Sequence, residues 1–278
     1  MTRKLNPVSL FFRAVRARAY PRIWGMSREP AWILFDVLIP LVNTTAFVYL
    51  YRALHAPEAY VGFLILGAVI SAYWLNVVWA MATQLHWEKK EGTLQLYVMS
   101  PSSLMAVLIG MSLGGMFQAS LRAGLLLAIG MLLFNVHFAT QHLPMVFIIF
   151  IVTLIALYGL GMTLSSFFLR WGREAWQLAL ALHEPAFFLT GMNFPLGKLF
   201  TSVPGVISFV SAIIPISFGL DAMRQLLFPH SLEGVFSPAK ELLIIAGLGV
   251  AFLVTSYFAL KRMEWKARVE ATLSLRWQ

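Results

Sequence analysis

The 278-residue chain contains no cysteine. That excludes disulfides and thiolate chemistry and leaves the redox compartment unread. Charge is scarce as well: Asp, Glu, Lys and Arg make up 12% of the residues, against about 25% in soluble domains. There is no Gly-x-x-x-x-Gly-Lys-Ser/Thr phosphate loop. The nearest string, Gly191 to Gly197-Lys198, is one residue too long and lacks the hydroxyl residue. No His-Glu-x-x-His or Cys-x-x-Cys metal pattern occurs. A removable leader is not expected, because Arg13, Arg16, Arg18 and Arg22 interrupt residues 5–25 and leave no apolar core.

What is abundant is hydrocarbon. Hydrophobic residues account for 59% of the chain and the mean hydropathy is +0.77, the composition of an all-α integral membrane protein. A span needs about 20 apolar residues, and candidates lie at 31–51, 60–85, 104–134, 143–169, 175–195 and 242–260. The net charge of +9 sits beside these runs, which argues against a nucleic-acid partner. Arg3, Lys4, Arg13, Arg16, Arg18, Arg22 and Arg28 precede the first span; Lys261, Arg262, Lys266, Arg268 and Arg276 follow the last. Positive residues mark the cytoplasmic side, so both termini are expected inside and the crossings must be even in number. Lys89, Lys90, Arg170 and Arg173 then fall inside, and the outer loops at 53–59 and 135–142 carry no Lys or Arg. Trp24, Trp32, Trp87, Trp171, Trp176, Trp265 and Trp277 gather at the inner boundary, as interfacial Trp does.

Six spans leave one apolar stretch, 199–220, that must enter and leave on one side. Pro204 and Pro215 interrupt it, and Pro removes a helical hydrogen bond. The expectation is an outer-side re-entrant helical hairpin over 203–228. Before the first span, Asn6 can cap a helix with Pro7 at its first position. Val8, Phe11, Phe12, Val15 and Ala19 follow one helical face, flanked by Arg13, Arg16 and Arg18, which predicts an amphipathic interfacial helix within a cytoplasmic segment 1–28. The six-span membrane domain is then expected to cover 29–262, and 263–278 a cytoplasmic tail.

Between the second and third runs the chain reads Glu88-Lys89-Lys90-Glu91-Gly92-Thr93-Leu94-Gln95-Leu96-Tyr97-Val98-Met99-Ser100-Pro101. This resembles the inner loop of type-2 ABC exporter permeases, which tends to run acidic-x-x-acidic-Gly-Thr-Leu-x-x-Leu and then Ser/Thr-Pro. Gln95 departs from it, standing where the family often has Glu. A second stretch resembles the same family. Thr190-Gly191-Met192-Asn193-Phe194-Pro195 matches its turn before the outer helices, and 215–227 matches Pro-x-x-aromatic-x-x-Asp-x-x-Arg-x-x-Leu through Pro215, Phe218, Asp221, Arg224 and Leu227.

The resemblance covers roughly 28–262. It implies a multi-pass subunit of a prokaryotic inner or plasma membrane that forms a translocation pathway as a dimer, with a second copy or a related chain. ATP and Mg would be bound by a separate nucleotide-binding ATPase subunit, so this chain would carry no cofactor and no catalytic residue. Segment 86–103 would couple the two subunits through Glu88, Lys89, Lys90, Glu91, Gly92, Thr93, Leu94 and Tyr97, with Gly92 at a bend.

Charges inside spans are costly and point to partners. Asp36 is expected to pair with an inner-side Arg. Arg122 and Glu184 lie near mid-depth and could neutralise each other or line a pathway. His183 adjoins Glu184, and Pro185 is expected to kink the fifth span. Asp221 and Arg224, one turn apart, can pair. Gly110 and Gly114 form a close-packing Gly-x-x-x-Gly. Two other classes remain: a secondary carrier, although no internal repeat or paired broken helices appear, and a membrane-embedded lipid-modifying enzyme, although the acids are scattered. Hydrophobic drugs, lipids and lipid-linked glycans all remain open as cargo, and membrane lipids are implied partners.

Overall fold

The computed structural model describes residues 6–25, 30–100, 103–171, 175–202, 205–229 and 234–270. Pro101, Pro204, Arg28 and Arg173 lie outside the described residues. Helix accounts for 86% of the structure, and no strand occurs among the described residues. In chain order the helices are α1 (Pro7–Gly25), α2 (Pro30–Ala53), α3 (Ala59–Leu75), a π-helical segment (Asn76–Ala82), α4 (Gln84–Lys90), α5 (Thr93–Met99), α6 (Leu104–Phe134), α7 (Leu143–Trp171), α8 (Ala175–Leu189), α9 (Leu196–Ser202), α10 (Val206–Ile213), α11 (Pro215–Leu227) and α12 (Pro238–Glu270).

Local chemistry sets the boundaries. Asn6 Oδ1 accepts from the Val8 amide at 3.2 Å, capping α1. Ser103 Oγ accepts from the Ala106 amide at 3.2 Å, capping α6. Asn135 closes α6 in a left-handed conformation with φ of 52°, one that Asn tolerates better than most residues. Pro215 and Pro238 start α11 and α12 at positions where a missing amide hydrogen costs nothing.

Among the described residues, five helical stretches are long and apolar enough to cross a membrane: 33–53, 59–90, 104–134, 143–168 and 238–265. The architecture is compatible with a multi-pass membrane protein. The second of them, α3 continued through the π segment into α4, is almost entirely buried and forms the axis of the bundle. Around it pack α2, α6, α7, α8 and α11, and α12 lies against α7 and α11.

One sequence expectation needs correcting, and two others gain detail. The fifth expected span, 175–195, is only the 15-residue α8, about 22 Å long at 1.5 Å per residue. It ends early because Gly191 adopts a φ of +67° and opens a turn through Phe194. The expected tail from 263 begins as helix: α12 continues to Glu270, and the carboxylate of Glu264 accepts from the Leu104 amide. Helix α1 also has a packing partner within the chain. It packs lengthwise along the first half of α6.

Within the expected hairpin the described residues show a sharp bend. α10 and α11 meet at 83°, with the break at Ile214 and Pro215. The C-terminus of α11 lies beside the 135–142 connection, where the Ala139 amide donates to Leu227 O at 3.1 Å, and beside Gly62 of α3, close to Phe228. Gly219 of the same helix touches Thr153, well inside α7. α11 therefore descends into the bundle from the end opposite α5.

Candidate functional site: the α4–α5 elbow and its clamp

α4 and α5 form an elbow. Gly92 sits between them with a φ of 78°, in the left-handed region that favours glycine, so the bend expected at this residue is present. The interior of the elbow is polar. Glu88 is buried, 4% exposed, and its carboxylate accepts from the Thr93 hydroxyl and from Gln84 Nε2 at 3.0 Å. Arg18 of α1 completes the cluster with an ion pair to Glu88. The Arg18 guanidinium also lies over the Tyr97 ring, 4.9 Å from its centre, a cation–π contact.

One turn further along α1, Arg22 makes a second clamp. Its guanidinium donates to Ala80 O in the π segment at 2.5 Å, to Gln84 Oε1 at 3.1 Å and to Met111 O of α6 at 3.2 Å. Gln118 Nε2 of α6 donates back to Arg22 O at 2.6 Å. Burial, then the neighbouring Arg18 cation, lowers the Arg22 pKa to about 10, which leaves it charged at neutral pH. A π-helical turn spaces its backbone hydrogen bonds differently from an α-helix and is frequent at functional sites; here Arg22 reaches one of its carbonyls.

Two glycines let α1 approach. A Cβ on Gly110 would meet Val15 O at 2.5 Å and Arg18 Cβ at 2.8 Å; one on Gly114 would meet Arg22 Cβ at 2.8 Å. The Gly-x-x-x-Gly is a packing motif, and its partner is α1.

These contacts redistribute the expected coupling residues. Glu88 and Leu94 are buried and hold the elbow together, and neither can meet an outside partner. Thr93 and Tyr97 turn towards Glu88 and Arg18. Arg18, expected to flank the apolar face, instead points inward, because its face of α1 is the one that fits the α6 glycines. Lys90 and Glu91 are exposed, and Lys90 Nζ lies 5.0 Å above the Trp87 ring; Lys89 is half-buried. The outward apolar surface belongs to residues the motif did not mark: Met99, 83% exposed, together with Leu96 and Trp87. Sequence spacing carried a signal for the clamp, since Arg18 and Arg22 share one face with Val15 and Ala19. Nothing in the sequence marked Gln84 or Gln118.

The intramembrane charges are also re-paired. Arg122 Nη1 donates to Asp36 Oδ2 at 2.6 Å, joining α6 to α2. Arg122 and Glu184 are not brought together, because α8 packs on the π segment, α7 and α10 and leaves the Arg122 face of α6 to α2. Glu184 and Pro185 are exposed on α8, which continues as a helix through Pro185. His183 is half-buried between Trp79 and Phe187, with ring centres 5.8 and 5.1 Å away. It borders a cleft of about 190 Å³ between α2, α3 and α8, whose polar residues include Asn43, Ser71 and Asn193.

Asp221 and Arg224 do not pair. Arg224 is wholly buried and donates to four carbonyls: Gly191 at 2.6 Å, Phe63 at 2.8 Å, Met192 at 2.9 Å and Phe194 at 3.2 Å. It knits the 191–194 turn to α3 and α11. Gly67 lets that turn seat, because a Cβ there would collide with Met192 O. Asp221 accepts instead from the Val235 amide at 2.9 Å, and Gln225 Nε2 bridges it at 3.4 Å to Glu241 at 3.2 Å.

Compared with known protein families and with curated proteins, the chain matches none.

Proposed function

We propose that this chain is the membrane-spanning subunit of an ATP-driven exporter of the type-2 ABC kind. It works as a dimer, and its separate ATP-hydrolysing subunit docks on the α4–α5 elbow. One observation carries this reading: a pre-formed elbow that presents Met99, Leu96 and Trp87 beside Lys90 and Glu91, and is braced from behind by two half-buried arginines. Apolar anchors surrounded by charges suit docking against a soluble partner. The brace gives that partner a lever. α1 is tied to the elbow through Arg18, to the central helix through Arg22, and to α6 through Gly110 and Gly114. A push on α5 therefore reaches the core.

Helix length supports the placement. α6 has 31 residues, about 46 Å at 1.5 Å per residue, while the hydrocarbon layer is about 30 Å thick. Its first turns, with α1, α4 and α5, would stand clear of the membrane on the cytoplasmic side. That setting suits the half-buried Arg18 and Arg22 and the buried Glu88 gathered there. Short α8 would add a sixth crossing to the five long helices, and the α10–α11 hairpin, entering and leaving on one side, keeps the number even. The exposed Glu184 and the polar cleft beside His183 would face the pathway between two copies, and the cargo is a hydrophobic drug, a lipid or a lipid-linked glycan.

The test is to purify the chain from its own membranes with its bound subunits and measure ATP turnover. Turnover is expected in the complex and not in the isolated chain. Leu96→Lys with Met99→Lys should strip away both partner and turnover while leaving the chain in the membrane. Full turnover by that variant, or by the chain alone, would refute the reading.

A further inference from the structure

We infer that the cleft between α6 and α7 is a binding site for one acyl chain of a membrane phospholipid. α6 and α7 are consecutive and joined by residues 135–142, yet each packs mainly on other helices; α3 and α11 form the back wall between them. The space left is a cavity of about 490 Å³, within the size range of small-molecule sites. It lies in the half of the bundle nearer the 135–142 connection.

The lining states the chemistry of the occupant. It is aliphatic and aromatic except for the hydroxyls of Tyr73 and Ser120. Tyr73 donates to Ser120 Oγ at 3.0 Å, and Ser120 donates to Met116 O at 2.8 Å. Neither donor hydrogen is free for a ligand, and among the described residues no charged side chain lines the wall. A headgroup, a glycan or an ion would lose its hydration there with nothing in return, and water gains little in an apolar cavity. Hydrocarbon fits.

The mouth states the source. Gly124, Leu143 and Phe147 line the cavity and are also exposed at the side of the bundle, so the cleft opens sideways between membrane-facing helices. Exposed polar residues, His137, Thr140, Gln141 and His142, sit at the end of the cleft, level with where a headgroup would remain outside. A chain tethered to a headgroup suits this shape better than a free hydrophobic solute. The inference needs only that the helices lie in a bilayer and stands apart from the exporter reading.

Gly124 supplies the test. A Cβ there meets nothing within 4 Å, so a large side chain can grow into the cleft without displacing the fold. The full chain is reconstituted in phosphatidylcholine bilayers containing a phosphatidylcholine with a diazirine on one acyl chain. It is then irradiated, and the label is mapped by peptide. Label should concentrate on the α6 and α7 lining around Ala123 and Phe150. It should fall roughly tenfold in Gly124→Phe, the factor equivalent to about 1.4 kcal/mol of lost affinity, and by an intermediate amount in Gly124→Leu. Gly247→Phe, on the open face of α12, should leave it unchanged. Thermal unfolding of each variant checks that the fold is intact, and Gly124→Leu decides if the larger variant fails it. Label spread evenly over the exposed helices, no loss in Gly124→Leu, or labelling by a diazirine fatty acid but not by the phospholipid would each overturn the inference.

Discussion

Arg18 of α1 forms an ion pair with Glu88, a carboxylate buried inside the α4–α5 elbow. The contact makes the N-terminal helix part of the elbow. Removing one partner of a buried pair leaves an uncompensated charge and costs about 3–5 kcal/mol in dry interiors. Arg18 is only partly buried, so Arg18→Met should cost less, on the order of 2 kcal/mol by the worth of a charged hydrogen bond. Thermal unfolding in detergent should show the loss. In a double-mutant cycle with Glu88→Gln, the two effects should fall well short of adding. Strict additivity would mean the pair is energetically idle.

Arg224 should be the least replaceable cation in the chain. It satisfies four carbonyls from two elements, and a planar fork reaches several acceptors at once, which an ammonium cannot. Arg224→Met should destabilise by roughly 3–5 kcal/mol, and Arg224→Lys should recover only a minor part. The readout is the fraction of folded, monodisperse protein after extraction. Wild-type recovery of Arg224→Met would show that the 191–194 turn does not depend on it.

Gly110→Leu or Gly114→Leu should lever α1 off α6. The new Cβ meets backbone or Cβ atoms of α1 closer than normal contact, and overpacking costs about 1–3 kcal/mol. Limited proteolysis should then cut within α1 in the variants and spare it in the wild-type protein. Gly25, whose Cβ would meet nothing, provides the control: Gly25→Leu should leave the digestion pattern unchanged.

The Asp36–Arg122 pair joins α2 to α6. Asp36→Asn leaves an unpaired guanidinium, where insertion scales charge about 2.5–3.5 kcal/mol for such a group in a membrane. Membrane-integrated protein should fall accordingly. Asp36→Arg combined with Arg122→Asp should restore part of it, whereas Glu184→Gln should not change it. Equal losses from Asp36→Asn and Glu184→Gln would contradict the pairing.

The long helices were legible because their signals are local. The third span, 104–134, coincides with α6, being bounded by Ser103 and Asn135, whose side chains favour helix ends. The Gly92 bend and the break at Pro215 were legible for the same reason, since each depends on the residue's own backbone. What could not be read depends on distant partners. A glutamate in a polar loop reads as solvated, and only the tertiary arrangement of Arg18, Gln84 and Thr93 shows that Glu88 is buried. Arg122 reads equally well as a partner for Glu184 or Asp36 until α2 is placed against α6. The π segment has no separate pattern in the sequence, because its composition, Asn76 to Ala82, is that of the apolar helix around it.

The most direct test uses the absence of native cysteine. A single cysteine replaces Met99 at the tip of the elbow and carries a photoactivatable crosslinker. A second variant carries it at Leu132, equally exposed at the opposite end of α6. After irradiation in native membranes, adducts are probed with a photoreactive ATP analogue. The expected result is an ATP-binding adduct from Met99→Cys and none from Leu132→Cys. No ATP-binding adduct from Met99→Cys, or the same adduct from both positions, would contradict docking of an ATPase on the α4–α5 elbow.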